Sequence, residues 1–387
     1  MIRTFSAANV SHLFLTSIYS MSFYGWPISQ CQTKALSTQL QDGIRVIDIR
    51  LAVIPPPVRG VAPPGIRQNL IAYHGVFPEQ TPFQSILTDV HNFLTSDAGR
   101  NETIVMSIKQ EDASKTPSVF FSQKIREFII NAPGGWDDKI ASQTGVNRGM
   151  WFLENRIPTL GEVRGKVVLF SRFGGDGTAW PQGVEGLGMH PTNWPDSSRD
   201  TFDWELKGTV VRTHDWFVTI FFLIIFLTLL PRYAIPSLAA IPEKVQHAAA
   251  NLIPPRNSPK PVLPISYFSG STFPLALPPA VAKGTVGVEG INSLLGKWLF
   301  SQIGGFVPST TAAAGNLATN KASPQEGVGS SSKAVEAQAD DGQGVGQEPR
   351  IRGWAFLDYY SEPSGTEVVP LLIECNFLGR KKGEEGW

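Results

Sequence analysis

What most constrains the fold is a repeated alternation of short apolar runs with stretches of helical spacing. Ile44 to Arg50, Leu70 to His74 and Thr103 to Lys109 are apolar and rich in β-branched residues, which reads as buried strands. Gln80 to Thr95 carries Phe83, Ile86, Leu87, Val90, Phe93 and Leu94 at helical spacing. Pro117 to Ile130 does the same with Val119, Phe120, Ile125, Phe128 and Ile129. Gly165 to Phe170, Gly208 to Thr213, Val262 to Ser269 and Trp354 to Asp358 are further strand candidates, and Val368 to Cys375 is a last apolar element. Such alternation implies parallel strands with helices outside. With this many repeats the expected architecture is a (β/α)8 TIM-type barrel, distorted or incomplete at its N-terminus.

Charge placement adds a second constraint. The first three runs end in Arg50, His74 and Lys109, and later ones lead into Arg172, Asp215 and Asp358. Buried charge is costly unless paired, so packing gives no reason for it. A single one of these reads most simply as a surface-loop charge. A set of them at the ends of successive strands points to a site, because barrels of this kind carry their chemistry at the C-terminal strand ends. The excess of cations suits an anionic ligand.

Composition narrows the partners. Lys plus Arg and Asp plus Glu are 33 each, and this zero balance argues against a nucleic-acid binder. Two cysteines, Cys31 and Cys375, are expected as free buried thiols rather than a disulfide framework. Asn9 and Asn101 open glycosylation sequons that matter only in a secreted protein. The first 30 residues are poorly shaped for export, with Arg3 the only early positive charge. Residues 309–350 lack large apolar side chains and read as a disordered insertion. The run from Trp216 to Leu230 is apolar but shorter than the ~20 residues that span a bilayer. Barrel elements continue on both sides of it, so the chain is expected to be soluble or peripheral to a membrane, without a true span at 216–232.

The ordered set GIRVIDIRLAV, LIAYHG, ETIVMSIKQED and GKVVLFSRF resembles the X domain of bacterial-type phosphatidylinositol-specific phospholipase C. FPLALPPAVAKG and GINSLLGKWL resemble its fungal members. The likeness covers roughly Tyr24 to Phe377. It implies one barrel over 20–308 and 351–379, interrupted by an apolar insertion at 218–233. It implies cleavage of phosphatidylinositol to diacylglycerol and a cyclic inositol phosphate by a monomer acting without metal or other cofactor. In that resemblance Arg50 is the phosphate-binding arginine and His74 the general acid. Lys109, Arg172 and Asp215 contact inositol or its phosphate, Phe217 stands where a ring-contacting tyrosine is usual, and Asp358 orients a first catalytic histidine. A fixed guanidinium suits charge developing on phosphoryl oxygens, where calcium would need several oxygen ligands instead.

The first histidine itself is missing. Ahead of Ser20-Met21-Ser22-Phe23-Tyr24-Gly25-Trp26, Ile18 falls on its position and Tyr19 on the acid beside it. Residues 1–19 therefore read as an atypical segment, either a real loss or a first exon replaced by unrelated sequence, and residues 218–233 read as a translated intron. Thr213-His214-Asp215 imitates the lost triplet on the wrong strand. Three function classes follow: an inositol-lipid lyase, an inactive barrel that binds inositol phospholipids, and a metal-dependent glycerophosphodiester hydrolase. The last needs a carboxylate cluster and a second histidine near the first strand, neither of which is visible.

Overall fold

The apolar runs become strands where expected, and their pairing sorts them into two sheets. The computed structural model describes residues 29–131, 149–216, 238–304 and 351–378, apart from 62–64, 66, 76, 181, 196, 256 and 272–275. The first sheet contains β1 (Val46–Ile54), β2 (Asn69–His74), β3 (Phe77–Pro82), β4 (Thr103–Gln110), β5 (Trp151–Phe152) and β6 (Lys166–Arg172), in the order β3-β2-β1-β4-β6-β5. The second contains β7 (Phe202–Leu206), β8 (Thr209–Asp215), β9 (Val262–Tyr267) and, after a small hairpin of β10 (Gly284–Thr285) and β11 (Val288–Glu289), β12 (Trp354–Phe356). Its order is β12-β9-β8-β7. The pairs β1–β4, β4–β6, β8–β9 and β9–β12 are parallel.

Helices cover these sheets: α1 (Leu36–Gln41), α2 (Phe83–Thr95), α3 (Ser118–Asn131), α4 (Leu160–Val163), α5 (Ile241–Asn251), α6 (Pro278–Lys283), α7 (Ile291–Gly304) and α8 (Val368–Cys375). The helical spacing read in the sequence is the buried stripe of α2, formed by Phe83, Ile86, Leu87, Val90, Phe93 and Leu94. In α3 the buried apolar positions are Phe121, Ile125 and Ile129, while Val119 faces out.

The two sheets share one interior. Phe170 of β6 stacks on Trp204 of β7 at 5.9 Å and lies 6.1 Å from Trp354 of β12. One layer up, Tyr267 of β9 and Phe356 of β12 stack at 4.3 Å. The result is an α/β barrel-like fold whose ladders, among the described residues, form two facing sheets rather than one closed cylinder.

Three expectations need correcting. First, β1 does not stop at Arg50 but runs on to Ile54, because β2 folds back along it and supplies backbone partners from Leu51↔Ala72 to Ile54↔Asn69. Second, β2 is therefore antiparallel to β1, and His74 reaches the site by returning along its neighbour rather than by ending a parallel strand. Third, β8 continues through Asp215. Cys31 and Cys375 are free and buried, as expected. Ile18 and Tyr19, residues 218–233 and residues 309–350 lie outside the described residues. Among those described, no helix is long and apolar enough to cross a membrane.

Candidate active site

Register and pleat together assemble the site. Alternate residues of a strand face the same side. Arg50 pairs with Lys109, and Lys109 with Arg172, so three cations stand in one row across β1, β4 and β6. Two residues back along the strands, Asp48 pairs with Ser107 and Ser107 with Phe170. The second sheet contributes Asp215 and Tyr267, which are register partners on β8 and β9.

Each cation in the row has a carboxylate. Asp48, completely buried, lies 3.4 Å from Arg50 Nε and 3.7 Å from Arg172 Nη1, and accepts a 2.6 Å hydrogen bond from Ser107 Oγ. Glu111 accepts from Arg50 Nη1 at 3.1 Å and lies 3.6 Å from Lys109 Nζ. Arg172 lies 3.6 Å from Asp215 and 3.4 Å from the Tyr267 hydroxyl, and its guanidinium sits 4.2 Å from the Trp194 ring centre. Trp194 Nε1 in turn donates to Asp215 at 2.9 Å. Burial by itself would raise the Asp48 carboxyl, but Arg172, Arg50, Ser107 and Lys109 outweigh it and hold it below the usual range. Glu111 is likewise lowered, with Arg50 and Lys109 overcoming its burial. Lys109 goes down, through burial and then repulsion from Arg50. Such a row, its cations held in place by carboxylates, can receive an anion.

His74 stands beside this row. Its Nδ1 lies 2.8 Å from the Ser29 carbonyl, the geometry of an Nδ1–H donor, which leaves Nε2 as the exchanging nitrogen. Burial, then the nearby Arg50 charge, lowers its pKa. Cys31 Sγ lies 3.7 Å from the same ring. The Cys31 thiol, which donates to the Ser29 carbonyl at 3.7 Å, is pushed well up by burial and then by the charge of the nearby Asp358. Asp358, itself buried, thus joins the cluster through Cys31 on the His74 side.

A cavity of about 530 Å³ opens next to the row, lined by Lys109, Arg172, Trp194, Thr192 and His190. That volume lies in the range of small-molecule sites. His190 is held by Ser171 Oγ at 2.9 Å on Nδ1 and by the Gly175 carbonyl at 3.0 Å on Nε2, a neutral ring that builds the wall. Burial lowers its pKa.

Arg50, His74, Lys109, Arg172 and Asp215 are therefore brought together, with Asp358 at the edge. Phe217 lies outside the described residues. His214 points the other way, stacked on His247 of α5 at 6.2 Å. Sequence reasoning missed Asp48 and Glu111, although each stands two residues from a chosen cation and so faces the same side. It also missed Tyr267, Trp194, Cys31, His190 and Lys244. Lys244 of α5 is fully buried, and its Nζ donates to the Tyr267 carbonyl at 2.8 Å and to the Trp216 carbonyl at 2.5 Å. Trp194, Cys31, His190 and Lys244 had no pattern signal, because loops and helix packing deliver them, whereas Tyr267 ends the strand β9 that the apolar run marked. Among the described residues no group of three or more His, Cys, Asp or Glu side chains is arranged to hold a metal ion.

Residues 8–173 match the sequence profile of the phosphatidylinositol-specific phospholipase C X domain, a stretch that includes Ile18, Arg50, His74, Lys109 and Arg172. A 1-phosphatidylinositol phosphodiesterase of Staphylococcus aureus strain Newman is 30% identical over 182 residues, 46% of this chain and 49% of that protein. The Listeria monocytogenes protein of the same name is 31% identical over 145 residues, 38% of this chain and 37% of that protein. The chain thus spans about half, or less, of the length of the curated relatives it matches. Two solved structures of the S. aureus phosphatidylinositol-specific phospholipase C share the fold. One comes from work on its membrane binding, with a TM-score of 0.54 at 18% identity. The other is a pentafluorophenylalanine-containing form, with a TM-score of 0.53 at 17% identity. Each match covers 97% of this chain and 99% of the other. Over residues 8–173 the chain is thus similar to the phosphatidylinositol-specific phospholipase C X domain, and its fold is that of the solved bacterial enzymes.

Proposed function

We propose that the protein is a metal-independent, phosphatidylinositol-specific phospholipase C-like phosphodiesterase of the lyase type. It works as a monomer at a membrane surface and yields diacylglycerol and an inositol cyclic phosphate. The observation that supports this most is the row Arg50–Lys109–Arg172 beside His74, next to a cavity of small-molecule size. A lipid phosphodiester docks on the Arg50 guanidinium, whose charge meets the negative charge that grows on the phosphoryl oxygens. Arg172, Asp215 and Lys109 supply the directed hydrogen bonds a polyol ring needs. His74, with Nδ1–H held by the Ser29 carbonyl, gives the Nε2 proton to the departing glycerol oxygen. Asp358 supports this side of the site through Cys31.

The attacking inositol hydroxyl also needs a proton acceptor, and Ile18 cannot be one. General-base help contributes about 10²- to 10⁴-fold, so this chain should turn over slowly. That one residue favours a second reading, an inactive barrel that binds inositol phospholipids through the same row. Release of soluble inositol phosphate from labelled phosphatidylinositol, measured with excess chelator, separates the readings. Turnover under chelator is the expected result. Headgroup binding without turnover selects the second reading, and turnover restored only by added divalent metal overturns the metal-independent mechanism.

A further inference from the structure

β1 carries Arg50 into the site and then runs on four residues to Ile54, about 13 Å of extended chain beyond the cation row. Past that point the backbone forms a tight hairpin. Val58 and Val61 exchange both backbone hydrogen bonds, at 2.9 and 3.0 Å, around a tip of Arg59 and Gly60 with φ of 51° and 77°. Positive φ at both tip residues is the turn type that keeps a two-residue hairpin straight. A directly bonded pair puts its two side chains on one face. Here that face looks outward, since Val58 is 65% and Val61 67% exposed.

Single exposed apolar residues are ordinary, but these have company. A Cβ placed on Gly60 would lie 3.6 Å from Pro117, so the hairpin packs against the loop that enters α3. Val119 in the first turn of α3 is 47% exposed, and Ile54 at the end of β1 is 38% exposed. Asp112 ties that loop back to β1 by accepting from the Val53 backbone at 3.0 Å. The whole corner therefore stands on the ends of β1 and β4, the two strands that carry Arg50 and Lys109. Its exposed charge is cationic: Arg59 stands at the hairpin tip and Lys115 in the loop, while Asp112 of that loop is buried. Arg59, Arg67 and Lys115 are all exposed.

We propose that the Val58–Val61 hairpin, with Ile54 and Val119, is a membrane-docking element that seats in the interfacial layer of a bilayer containing anionic lipid. This rests on the lipid-cleaving reading above and deepens it. A phosphodiester attached to acyl chains sits at headgroup depth, so the rim beside the cation row must meet the interface when the site is occupied. Exposed apolar side chains flanked by Arg59 and Lys115, with Asp112 turned inward to the Val53 backbone, complement that layer better than they complement a protein surface.

Sedimentation with phosphatidylcholine vesicles containing phosphatidylserine tests this. The variant Val58→Asp/Val61→Asp should lose at least about tenfold in vesicle affinity, through lost apolar insertion and added repulsion. Arg59→Glu should lose less, and its remaining binding should depend more weakly on salt. Val58→Trp should bind more tightly. Turnover of short-chain, monomeric phosphatidylinositol should stay unchanged in all three. Vesicle binding is read without turnover, so an inactive chain would sink the lyase reading and leave this test intact. Wild-type affinity in the double aspartate variant, with its unfolding midpoint unchanged, overturns the proposal. If that variant unfolds, Arg59→Glu and Val58→Trp decide, and unchanged affinity in both overturns it. A wild-type chain that does not sediment with these vesicles overturns it outright.

Discussion

The half-buried cation row on β1, β4 and β6 and the buried seam between β8 and α5 are both rich in positive or titratable groups, yet they are built on opposite plans. In the row, Arg50, Lys109 and Arg172 each lie within 4 Å of a carboxylate, and the cations outweigh burial and lower the Asp48 and Glu111 carboxyls. In the seam, His214 is buried on the outer face of β8, stacked on His247 and close to the charge of Lys244. Burial first, then Lys244 and His247, pushes the His214 pKa down to about 3. Burial likewise pushes Lys244 down to about 7 against the pull of Asp215 and Asp358. Pairing thus decides the outcome in the two regions. Facing cations lower the Asp48 and Glu111 carboxyls, whereas burial dominates at His214 and Lys244 and lowers both.

The largest expected effect is at Arg50. Arg50→Gln should lower turnover of phosphatidylinositol by about 10²- to 10³-fold, the scale of losing one preorganised donor. It also sharpens the comparison. His74 must be protonated to act as the acid, and its pKa is lowered by burial and then by Arg50, so the rate should fall as pH rises through a midpoint below 6.5. Removing the Arg50 charge should move that midpoint upward, measured as the His74 imidazole titration by NMR. A midpoint that does not move would separate Arg50 from His74.

Next comes the carboxylate under the row. Asp48→Asn leaves Arg50 and Arg172 short of a buried partner and should lower stability by about 3 kcal/mol, read from urea unfolding. A loss no larger than that of a surface substitution would mean that Glu111 and Asp215 suffice alone.

The smallest effect at neutral pH belongs to the seam. Unfolded, His214 takes its proton near pH 6.5; folded, only near 3. In that window the unfolded chain binds the extra proton, so stability present above 6.5 is lost as pH falls toward 3. His214→Leu should flatten that acid slope by an amount on the order of a few kcal/mol at most, with little change at pH 7. An unaltered slope would show that His214 does not set it.

Much of the site was legible because it lies on strands. Apolar runs mark β1, β4, β6 and β8, and the charge at each run's end marks where the fold stops being pure core. The same alternation contained Asp48 and Glu111, two residues from Arg50 and Lys109, but a cation row draws attention to cations. The direction of β2 was not legible, since a six-residue apolar strand reads alike in either direction. Trp194, His190 and Lys244 were hidden for another reason: they come from a connecting loop and from the buried side of α5, where spacing carries no information about which strand end a side chain will reach.

Local pattern by itself determined the α/β class, the stripe of α2, and the cationic character of the mouth, because side-chain periodicity follows from backbone geometry alone. Only tertiary structure decided which carboxylate answers which cation, that His74 returns to the row on an antiparallel strand, and that His214 faces away from it. Those outcomes depend on register and on distances between segments far apart in the chain, and no neighbouring residue encodes them.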